Sequence, residues 1–528
     1  SGLFWGDTGW TYFTIDRTAP TSAVNLLPSN SRNPFLVSWS GNDSATPNDL
    51  NFDIQYQVGC SGNWTNWLSQ TKTTLAYFTG DGGQKYCFRS RSTDLAGNIE
   101  SWPGGADTFT TITSDEKKLY LPSIINGTGS TPPPVQPKMT RVSVSSSGVE
   151  GNNSGIFPSP NATGQQASSD GRYYVFVSGS NNLVPDDTNN VMDVFFHDLQ
   201  THETTRISVA TNGTQANGAS DEPAISGDGR FIVYVSQATN LYTGFSNAGW
   251  KSFIYDRTTK ETIGISSGLS HSPAISSDGR YVALEIVPHV YLYDRVAKKI
   301  TIVSKTTNGV LGNAGSFQAT ISGDGRYIVF ASNAENLVPD DTNGVQDIFL
   351  HDSTTGITTR ESVSTDGVQG NNHSSLPSIS ADGKFIAFQS LATTFNSADN
   401  NVFSDIYLRD LSTKTTKCIS IDKTGKVGNN HSGDPSISYE GRFVVFESFA
   451  NNLLADDTNN QYDVIVYDTQ TDQFIPISVG LNVTQANGIS GEPSISSNGY
   501  ILFSSKANNL VQNDNNGMDD IFVYGPFY

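Results

Sequence analysis

Asp324-Gly-Arg-Tyr-Ile-Val-Phe330 is an acidic, glycine and basic turn followed by an apolar strand, and variants of it recur along this chain. Seven copies can be recognised, the last two weaker than the others. They begin at Asp170, Asp228, Asp278, Asp324, Asp382, Glu440 and Asn498. Successive copies lie 58, 50, 46, 58, 58 and 58 residues apart. A period near 50 residues with several strands per unit is typical of radial or stacked repeats.

Each repeat is predicted to contain four strands. The first is Pro-X-Ile-Ser, as in Pro377-Ser-Ile-Ser380, and the second follows the Asp-Gly turn. The third is Asp347-Ile-Phe-Leu-His-Asp352 and its equivalents, and the fourth is Thr-Thr-Arg-X-Ser-Val, as at 358–363. Four strands in each of seven units predict an all-β fold with a seven-bladed β-propeller. A solenoid of the same units would need terminal caps, and none is visible in the sequence.

The two ends of the repeat region favour a closed ring. Thr140-Arg-Val-Ser-Val144 matches a fourth strand but precedes the first full repeat, whereas Ile521-Phe-Val-Tyr524 matches a third strand. The final repeat therefore lacks an outer strand that the beginning of the region can supply. Joining the two removes an open sheet edge, which favours a propeller closed by the strand at 140–144.

Two repeated motifs carry a resemblance to a known family. Ser-X-Asp-Gly-Arg-Tyr-Ile-Val-Phe and Asp-Thr-Asn-Gly-X-X-Asp-Ile-Phe resemble the TolB-like, or WD40-like PD40, propeller repeats of bacterial envelope and secreted proteins. The resemblance covers residues 139–528 and implies the propeller fold. It implies no particular activity, because one propeller fold hosts many functions.

Residues 18–113 are predicted to form a β-sandwich of short alternating segments separated by turns. The stretches that follow resemble bacterial fibronectin type III-like modules: Val37-Ser-Trp39, Trp64-Thr-Asn-Trp67, Tyr86-Cys-Phe-Arg-Ser-Arg91 and Asp94-Leu-Ala-Gly-Asn98. That resemblance implies a spacer or adhesive unit of a secreted protein. Residues 114–138 are rich in Pro, Gly and Ser and are predicted to be an extended linker.

The best site signal lies between the second and third strands of five repeats, where Asp-X-Asn-X-X-X-Asp recurs in one register. Oxygen side chains at i, i+2 and i+6, with a backbone carbonyl at i+4, can surround a hard cation, and the same offsets open an EF-hand loop. The bidentate Glu of that loop is missing, so a weaker calcium site is expected. The predicted ligands are Asp187, Asn189, Asp193, Asp341, Asn343, Asp347, Asp399, Asn401, Asp405, Asp457, Asn459, Asp463, Asp514, Asn516 and Asp520.

A purely structural interpretation of these loops stays open. Asp and Asn often close turns by hydrogen-bonding to their own backbone, with no ion involved, and a repeated turn repeats its turn residues. A turn needs one such residue, however, whereas three oxygen ligands recur together here. The sequence therefore favours several calcium ions as the cofactor.

The three cysteines are distributed unevenly. Cys60 and Cys87 flank predicted strands of one small domain, and a disulfide between them is predicted, with two buried free thiols as the alternative. Cys418 is the one cysteine of the repeats and is predicted to be a buried structural thiol.

Charge and hydropathy exclude several partners. The 528 residues contain 31 Lys and Arg against 51 Asp and Glu, a formal net charge of −20. Such a chain lacks the clustered basic residues that nucleic acids require, and it has no apolar stretch of membrane-spanning length. A secreted or cell-surface location is expected, with a homo-oligomer or polymer as the main partner and an extracellular protein or glycan as a further ligand.

No catalytic motif stands out, so a non-enzymatic protein is expected. The Gly-X-Ser-X-Gly elbow, the His-Glu-X-X-His motif and the Walker loop are all missing from the sequence. Glu285 and Glu447 occupy matching second-strand positions, and paired carboxylates can hydrolyse glycans, but the sequence does not place them across a bond. The alternative function is a propeller that binds or hydrolyses extracellular glycans or peptides.

Residues 1–17 are predicted to contain an orphan strand. Trp10-Thr-Tyr-Phe-Thr-Ile-Asp16 resembles the closing strand of the sandwich, Asp107-Thr-Phe-Thr-Thr-Ile-Thr113. One interpretation is a remnant of a preceding domain. The other is a donor strand, with Trp10, Tyr12, Phe13 and Ile15 completing a sheet in a neighbouring subunit and building a filament. Adhesion or structural self-assembly is therefore the expected function.

Overall fold

A computed structural model of the chain shows strands and turns, with no α-helix among the residues it describes. These are residues 2–6, 9–13, 16–25, 27, 30–31, 35–43, 50–72, 74–78, 80, 83–112, 138–153, 164–245, 249–266, 268–454, 457–481 and 484–527. The all-β prediction is confirmed. The chain divides into two compact units, Ser1–Pro132 and Pro133–Tyr528. The predicted linker falls outside the described residues up to position 137. Within the described part, no helix is long and apolar enough to cross a bilayer.

The first unit contains ten strands. They are β1 (Gly2–Gly6), β2 (Gly9–Phe13), β3 (Thr21–Val24), β4 (Asn30–Ser31), β5 (Phe35–Asn42), β6 (Asn51–Val58), β7 (Thr65–Thr71), β8 (Leu75–Phe78), β9 (Lys85–Thr93) and β10 (Thr108–Ile112). One sheet has the order β4-β10-β9-β6-β7 and a second has the order β3-β5-β8. Trp39, Phe52 and Phe88 belong to their shared buried core. A relationship to fibronectin modules stays a prediction.

The predicted disulfide is confirmed. Cys60 and Cys87 are bonded, with their Cα atoms 5.1 Å apart. The bond links the turn after β6 to β9, and these two strands are paired along their length. Cys418 is a buried free thiol.

The N-terminal strand is not alone, which corrects the prediction of a single orphan strand. Residues Gly9–Phe13 pair antiparallel with Gly2–Gly6, and the register places Trp5 opposite Trp10. The two strands form a sheet of their own. Trp10, Tyr12 and Phe13 thus belong to a hairpin strand, while Ile15 lies outside the described residues. The sequence did not reveal the first strand because glycines begin and end it, and they hide its alternation.

The second unit contains the remaining strands. They are β11 (Lys138–Arg141), β12 (Tyr173–Ser178), β13 (Asp193–Asp198), β14 (Glu203–Arg206), β15 (Ser220–Ile225), β16 (Phe231–Ser236), β17 (Lys251–Asp256), β18 (Glu261–Gly264), β19 (Ser270–Ile275), β20 (Tyr281–Ile286), β21 (His289–Asp294), β22 (Lys299–Ile302), β23 (Ser316–Ile321), β24 (Tyr327–Ser332), β25 (Asp347–Asp352), β26 (Thr358–Arg360), β27 (Ser374–Ile379), β28 (Phe385–Ser390), β29 (Asp405–Asp410), β30 (Thr415–Cys418), β31 (Ser432–Ile437), β32 (Phe443–Ser448), β33 (Asp463–Asp468), β34 (Gln473–Pro476), β35 (Val479–Gly480), β36 (Thr484–Gln485), β37 (Ser490–Ile495), β38 (Ile501–Ser505) and β39 (Asp520–Gly525).

These strands form consecutive up-and-down sheets, which we call blades and number in chain order. Blade 1 has the order β12-β13-β14, and blades 2 to 6 have four strands each, from β15-β16-β17-β18 to β31-β32-β33-β34. Blade 7 has the order β11-β39-β38-β37. The small β35-β36 hairpin lies in the connection between blades 6 and 7. The first strands of successive blades contact one another, so they line the axis of a propeller.

The Asp-Gly turn is held by hydrogen bonds from its own side chains. In blade 4, Ser322 Oγ donates to Asp324 Oδ1 at 2.7 Å, and that oxygen also accepts the backbone N–H of Arg326 at 3.0 Å. Gly325 takes a φ of 74°, a conformation that favours glycine. The Arg326 guanidinium then forms two hydrogen bonds to Asp352 at the end of β25. The repeated motif therefore closes the turn and joins two strands.

The turn glycines also set the contact between blades, because each lies against an aromatic ring of the preceding blade. A Cβ atom there would collide with the ring. The pairs are Gly229 with Tyr173, Gly279 with Phe231, Gly325 with Tyr281, Gly383 with Tyr327, Gly441 with Phe385, and Gly171 with Tyr500. The last pair joins blade 1 to blade 7. Leu502, Ile521 and Val523 of blade 7 share a buried cluster with residues of blade 1. The ring is therefore closed by the same packing that joins its other members.

The N-terminal strand of this unit supplies the outer strand of blade 7. Strand β11 pairs antiparallel with β39, with Thr140 opposite Val523 and Arg141 opposite Phe522. It covers 138–141 rather than the 140–144 expected from the sequence. The pairing joins residues more than 380 positions apart and leaves blade 7 with four strands.

Candidate functional site

The acidic loops lie between the second and third strands of their blades, and the last aspartate of each motif begins the third strand. These aspartates are almost wholly buried, and each accepts a hydrogen bond from a serine that follows the blade's outer strand. The pairs are Ser208 with Asp193, Ser362 with Asp347, Ser420 with Asp405, Ser478 with Asp463 and Ser143 with Asp520. The loops are thus held by an acceptor at the base of each third strand.

The asparagine of each motif acts as a turn residue in the structure. In blade 4, Asn343 Oδ1 accepts the N–H of Val345 at 3.1 Å. Its Nδ2 donates to Asp347 Oδ2 at 2.7 Å and to the carbonyl of Gly370 at 3.0 Å. Asn189, Asn459 and Asn516 make the same three kinds of contact. The alternative of hydrogen-bonded turns therefore describes these asparagines, and their role as calcium ligands stays a prediction.

Three of the five loops contain an arginine that the sequence analysis missed. Arg360 Nη1 lies 3.1 Å from Asp341 Oδ1 and 3.8 Å from Asp347 Oδ2. Arg206 lies between Asp187 and Asp193 at 3.1 and 3.9 Å. These Nη1 atoms make ion contacts without hydrogen-bond geometry. A guanidinium thus already faces both carboxylates of these loops.

The closing strand supplies the third of these arginines. Arg141 lies 3.3 Å from Asp514 and 3.2 Å from Asp520, and it also contacts Glu150 at 2.8 Å. In strand register it matches Arg206 and Arg360, since all three face the third residue of the third strand. The signal that could have found them is the Thr-Thr-Arg ending of the fourth strand. The aspartates that pair with these arginines, however, lie in a different stretch of the sequence from that motif.

The loops of blades 5 and 6 have no such arginine. Cys418 occupies the arginine position opposite Tyr407, and Pro476 occupies it opposite Ile465. Asp405 is fully buried, and its Oδ2 accepts no hydrogen bond from the described residues. Asp399 accepts a hydrogen bond from the Tyr407 hydroxyl at 3.0 Å. Among the described residues, the two carboxylates of the blade 5 loop therefore have no facing cationic side chain.

Burial perturbs the acidity of these aspartates. Burial and the nearby charge of Asp399 together raise the pKa of Asp405 to about 7, against the opposing hydrogen bond from Ser420. Burial also raises the pKa of Asp193 to about 6 and that of Asp341 to about 6, where an arginine opposes the shift. Burial makes these carboxylates costly to ionise. A facing cation therefore stabilises their ionised form more strongly here than it would at the surface.

A second set of carboxylates lies where the first strands surround the axis. The third residue of each of six first strands is in the left-handed region, at a β-bulge against the second strand. These residues are Glu222, Ser272, Gln318, Leu376, Asp434 and Glu492. The bulge frees backbone N–H groups that point to the preceding blade. Ser272 N donates to Glu222 at 2.5 Å, Gln318 N donates to Glu285, and Glu492 N donates to Glu447 at 3.0 Å.

Asp434, Glu447 and Glu492 form an acidic cluster between blades 6 and 7, which we call the axial carboxylates. Burial, together with the charges of Asp434 and Glu447, raises the pKa of Glu492 to about 9. Burial and the charge of Glu447 raise the pKa of Asp434. The sequence analysis noticed Glu447 and Glu285 but missed Asp434 and Glu492. The signal was available, since both precede the proline of the first-strand motif.

The histidines and the thiol take structural positions. Burial lowers the pKa of His197 to about 4 and that of His351 to about 4, and the Nδ1 atoms of these rings contact Thr204 and Thr358 at 2.9 Å. Burial raises the pKa of Cys418 to about 12, so this thiol is not an activated nucleophile.

Comparisons with known proteins agree with the fold. No protein-family model matches the chain, and no curated protein matches it. Among solved structures, the chain is similar to a TolB described as putative from Agrobacterium tumefaciens, at 18% identity and a TM-score of 0.33 over 48% of this chain and 76% of that one. TolB from Acinetobacter baumannii is 15% identical, with a TM-score of 0.32 over 67% and 80%. Dipeptidyl peptidase 4 of Porphyromonas gingivalis is 15% identical, with a TM-score of 0.37 over 65% of this chain and 56% of that enzyme.

The second unit is a β-propeller by its own strand order and packing. At these identities the similarities concern the fold alone. They include peptidases as well as TolB, so they favour neither a catalytic nor a non-catalytic protein.

Proposed function

We propose that this chain is a non-catalytic secreted or cell-surface protein of adhesion or structural self-assembly. The hairpin of residues 2–13 is the observation that carries the proposal. It forms a two-stranded sheet that joins neither sandwich sheet among the described residues. An isolated two-stranded hairpin is marginally stable in water, and its outer edges offer unpaired backbone groups to another chain.

The composition of the hairpin supports a second copy of this chain as the partner. Its strands contain Phe4, Trp5, Trp10, Tyr12 and Phe13 in only ten residues. Aromatic side chains and backbone hydrogen bonds are the two contributions that strand addition uses for affinity. A hairpin that adds to a sheet of the next subunit gives a head-to-tail contact, and such contacts build filaments when they do not close.

Removal of residues 1–13 is expected to convert polymers or oligomers of the chain to monomers. Light scattering after gel filtration measures the mass, and electron microscopy of the same samples detects filaments. The double variant Trp10→Ser and Tyr12→Ser should reproduce the effect without shortening the chain. Phe109→Ser is the control, because Phe109 is an exposed aromatic residue of the sandwich outside the hairpin. A monomeric wild-type chain, or a deletion that leaves the mass per particle unchanged, would refute assembly through the hairpin.

Calcium binding remains part of the proposal, but for fewer loops than the sequence suggested. The arginines of blades 1, 4 and 7 place a fixed positive charge beside the carboxylates that would bind an ion. Blades 5 and 6 have Cys418 and Pro476 in that position. The blade 5 loop is the better candidate, because the buried Oδ2 of Asp405 accepts no hydrogen bond from the described residues.

Calcium is expected to raise the unfolding temperature of the propeller through the blade 5 loop. Scanning calorimetry of the full chain with CaCl2 or with a chelator measures the shift. Asp405→Asn should remove most of it, whereas Asp347→Asn, in a loop that contains Arg360, should leave the shift in place while changing the baseline stability. An equal calcium response in wild type and Asp405→Asn would count against a calcium site in this loop.

A second candidate function is the binding or hydrolysis of an extracellular glycan or peptide at the axis. The axial carboxylates favour it, because Asp434, Glu447 and Glu492 lie together with raised pKa values. Protonated carboxyl groups in such a cluster can donate hydrogen bonds to hydroxyl or carbonyl groups, or serve as general acids. The Asp434→Asn variant discussed below should then lose binding to a glycan or peptide panel that the wild type retains.

A further inference from the structure

Three aspartates of the first unit meet at one point although they come from three distant segments. Asp16 precedes β3, Asp43 follows β5, and Asp94 follows β9. One carboxylate oxygen from each lies within 4.8 Å of the other two. Asp43 and Asp94 are only 4% exposed, and Asp16 is half-buried. The sequence analysis named none of these residues as a ligand.

Like charges at this distance repel each other strongly when they are buried. No lysine or arginine among the described residues forms an ion pair with Asp16 or Asp94. The acidic loops of blades 1, 4 and 7 differ in this respect, because Arg206, Arg360 and Arg141 face their carboxylates. A bound cation would relieve the repulsion among the three carboxylates.

One carboxylate oxygen of the cluster, Oδ2 of Asp16, provides separate evidence for a bound cation. The Oδ1 of Asp16 accepts the N–H of Thr18 at 3.0 Å, but its Oδ2 is buried from solvent and accepts no hydrogen bond within the described structure. A buried carboxylate oxygen without a donor is rare in native proteins, and an ion is among the ordinary reasons for it. This oxygen belongs to the residue that shares the point with Asp43 and Asp94.

Asn98 holds two of the three residues in place. Its backbone N–H donates to Asp94 Oδ1 at 2.8 Å, and its Nδ2 donates to Asp94 Oδ2 at 2.8 Å. The same Nδ2 also donates to the backbone carbonyl of Asp16 at 3.3 Å. One amide therefore fixes the orientation of the Asp94 carboxylate and draws the Asp16 segment toward it. Such hydrogen bonds to ligand residues are a recurrent feature of metal centres.

We propose that Asp16, Asp43 and Asp94 bind a calcium ion, with Asn98 as a positioning residue. Oxygens that share a Ca²⁺ ion at roughly 2.4 Å cannot be more than about 4.8 Å apart, which the three carboxylates satisfy. The ligand set contains only oxygen, which selects a hard cation over zinc or copper. Carbonyl groups and water complete the larger coordination number that calcium takes.

The ion connects the segment before the sandwich to two of its loops. Asp16 lies three residues after the end of β2, whereas Asp43 and Asp94 belong to the sandwich itself. Bound calcium therefore fixes the point at which the hairpin segment leaves the sandwich. Without the ion, the hydrogen bond from Asn98 to the Asp16 carbonyl still joins that segment to the sandwich.

The test is isothermal titration of the chelator-treated full chain with CaCl2, carried out in the Asp405→Asn background so that the blade 5 loop does not contribute. Asp16→Asn is expected to bind one calcium ion fewer per chain. Asn98→Ala should keep the ion and weaken its binding by roughly 10- to 100-fold, as changes behind metal ligands do. Glu100→Gln is the control, because Glu100 has hydrogen-bond donors in Ser22 and Ser92 and should bind as the parent does.

Two outcomes overturn the proposal. One is an equal number of calcium ions in the parent and in Asp16→Asn. The other is a site that MgCl2 fills at the same concentration, which would contradict the calcium assignment. Asp16 is half-buried and its substitution by Asn keeps an acceptor for Thr18, so the variant is expected to fold, and far-ultraviolet circular dichroism checks this. The titration reads binding in a monomer or a polymer, so its result is independent of whether the hairpin assembles.

Discussion

Arg360→Ala is expected to lower the free energy of unfolding of the propeller by about 3–5 kcal/mol, the usual loss when one partner of a buried ion pair is removed. The Arg360 side chain is 4% exposed and faces Asp341 and Asp347, whose side chains are 2% and 0% exposed. Without the guanidinium, two buried carboxylates confront each other across the loop. Urea denaturation of the full chain, followed by fluorescence, measures the loss.

Arg326→Ala is the matched control for this prediction. Arg326 belongs to the same blade and also pairs with an aspartate, but its side chain is 42% exposed. Solvent screens such a pair, so its removal is expected to cost much less stability than removal of Arg360. A triple variant that adds Asp341→Asn and Asp347→Asn to Arg360→Ala should recover part of the stability. Equal losses for Arg360→Ala and Arg326→Ala would contradict the interpretation of the buried guanidinium as the internal cation of the loop.

Asp434→Asn is expected to stabilise the propeller at pH 9 and to have little effect at pH 4. Burial and the charge of Glu447 raise the pKa of Asp434 in the folded protein. Below the ordinary carboxyl pKa of about 4, the group is protonated in both the folded and the unfolded chain, so it makes no difference. As the pH rises above that value, the unfolded chain releases the proton while the folded chain retains it. The free energy of unfolding therefore falls until the folded group also ionises.

Asparagine cannot ionise, so the variant avoids this loss and its advantage over the wild type should grow with pH. Unfolding temperatures at pH 4, 7 and 9 measure the trend. Asp352→Asn provides the opposite sign, because the Arg326 hydrogen bonds hold the pKa of Asp352 down to about 2. That variant should be less stable than the wild type at pH 7, and the difference should shrink as the pH falls toward 2. A wild-type minus Asp434→Asn difference that is flat from pH 4 to pH 9 would sink the prediction.

The structural features that could be predicted from the sequence are mostly those that depend on residues close together in the chain. The Asp324 turn, its glycine and the strand after it involve residues within five positions of one another, and their hydrogen bonds are equally local. The closing strand was found although its partner lies at the other end of the region, because repetition showed which strand was missing. The disulfide was predictable because only two cysteines occur in the first unit.

The features that the sequence did not predict depend on contacts between distant positions. Arg141 and Asp520 are 379 residues apart, and no pattern along the chain links them. Asp16, Asp43 and Asp94 likewise come together only through the fold of the sandwich. The asparagines of the acidic loops show the converse case. Their spacing fits an ion loop, and it fits equally well the hydrogen-bonded turn that their contacts form.

Cys418 occupies, in blade 5, the position that an arginine occupies in blades 1, 4 and 7, and this difference bears on how the blades respond to ions in solution. In blades 1, 4 and 7 an arginine of the same chain faces the acidic loop, so these loops are expected to respond little to added calcium. Blade 5 has Cys418 at the arginine position, so among the described residues its loop has no facing cationic side chain. If the proposed calcium site is occupied, the stability of this one blade should vary with the concentration of divalent ions in the medium.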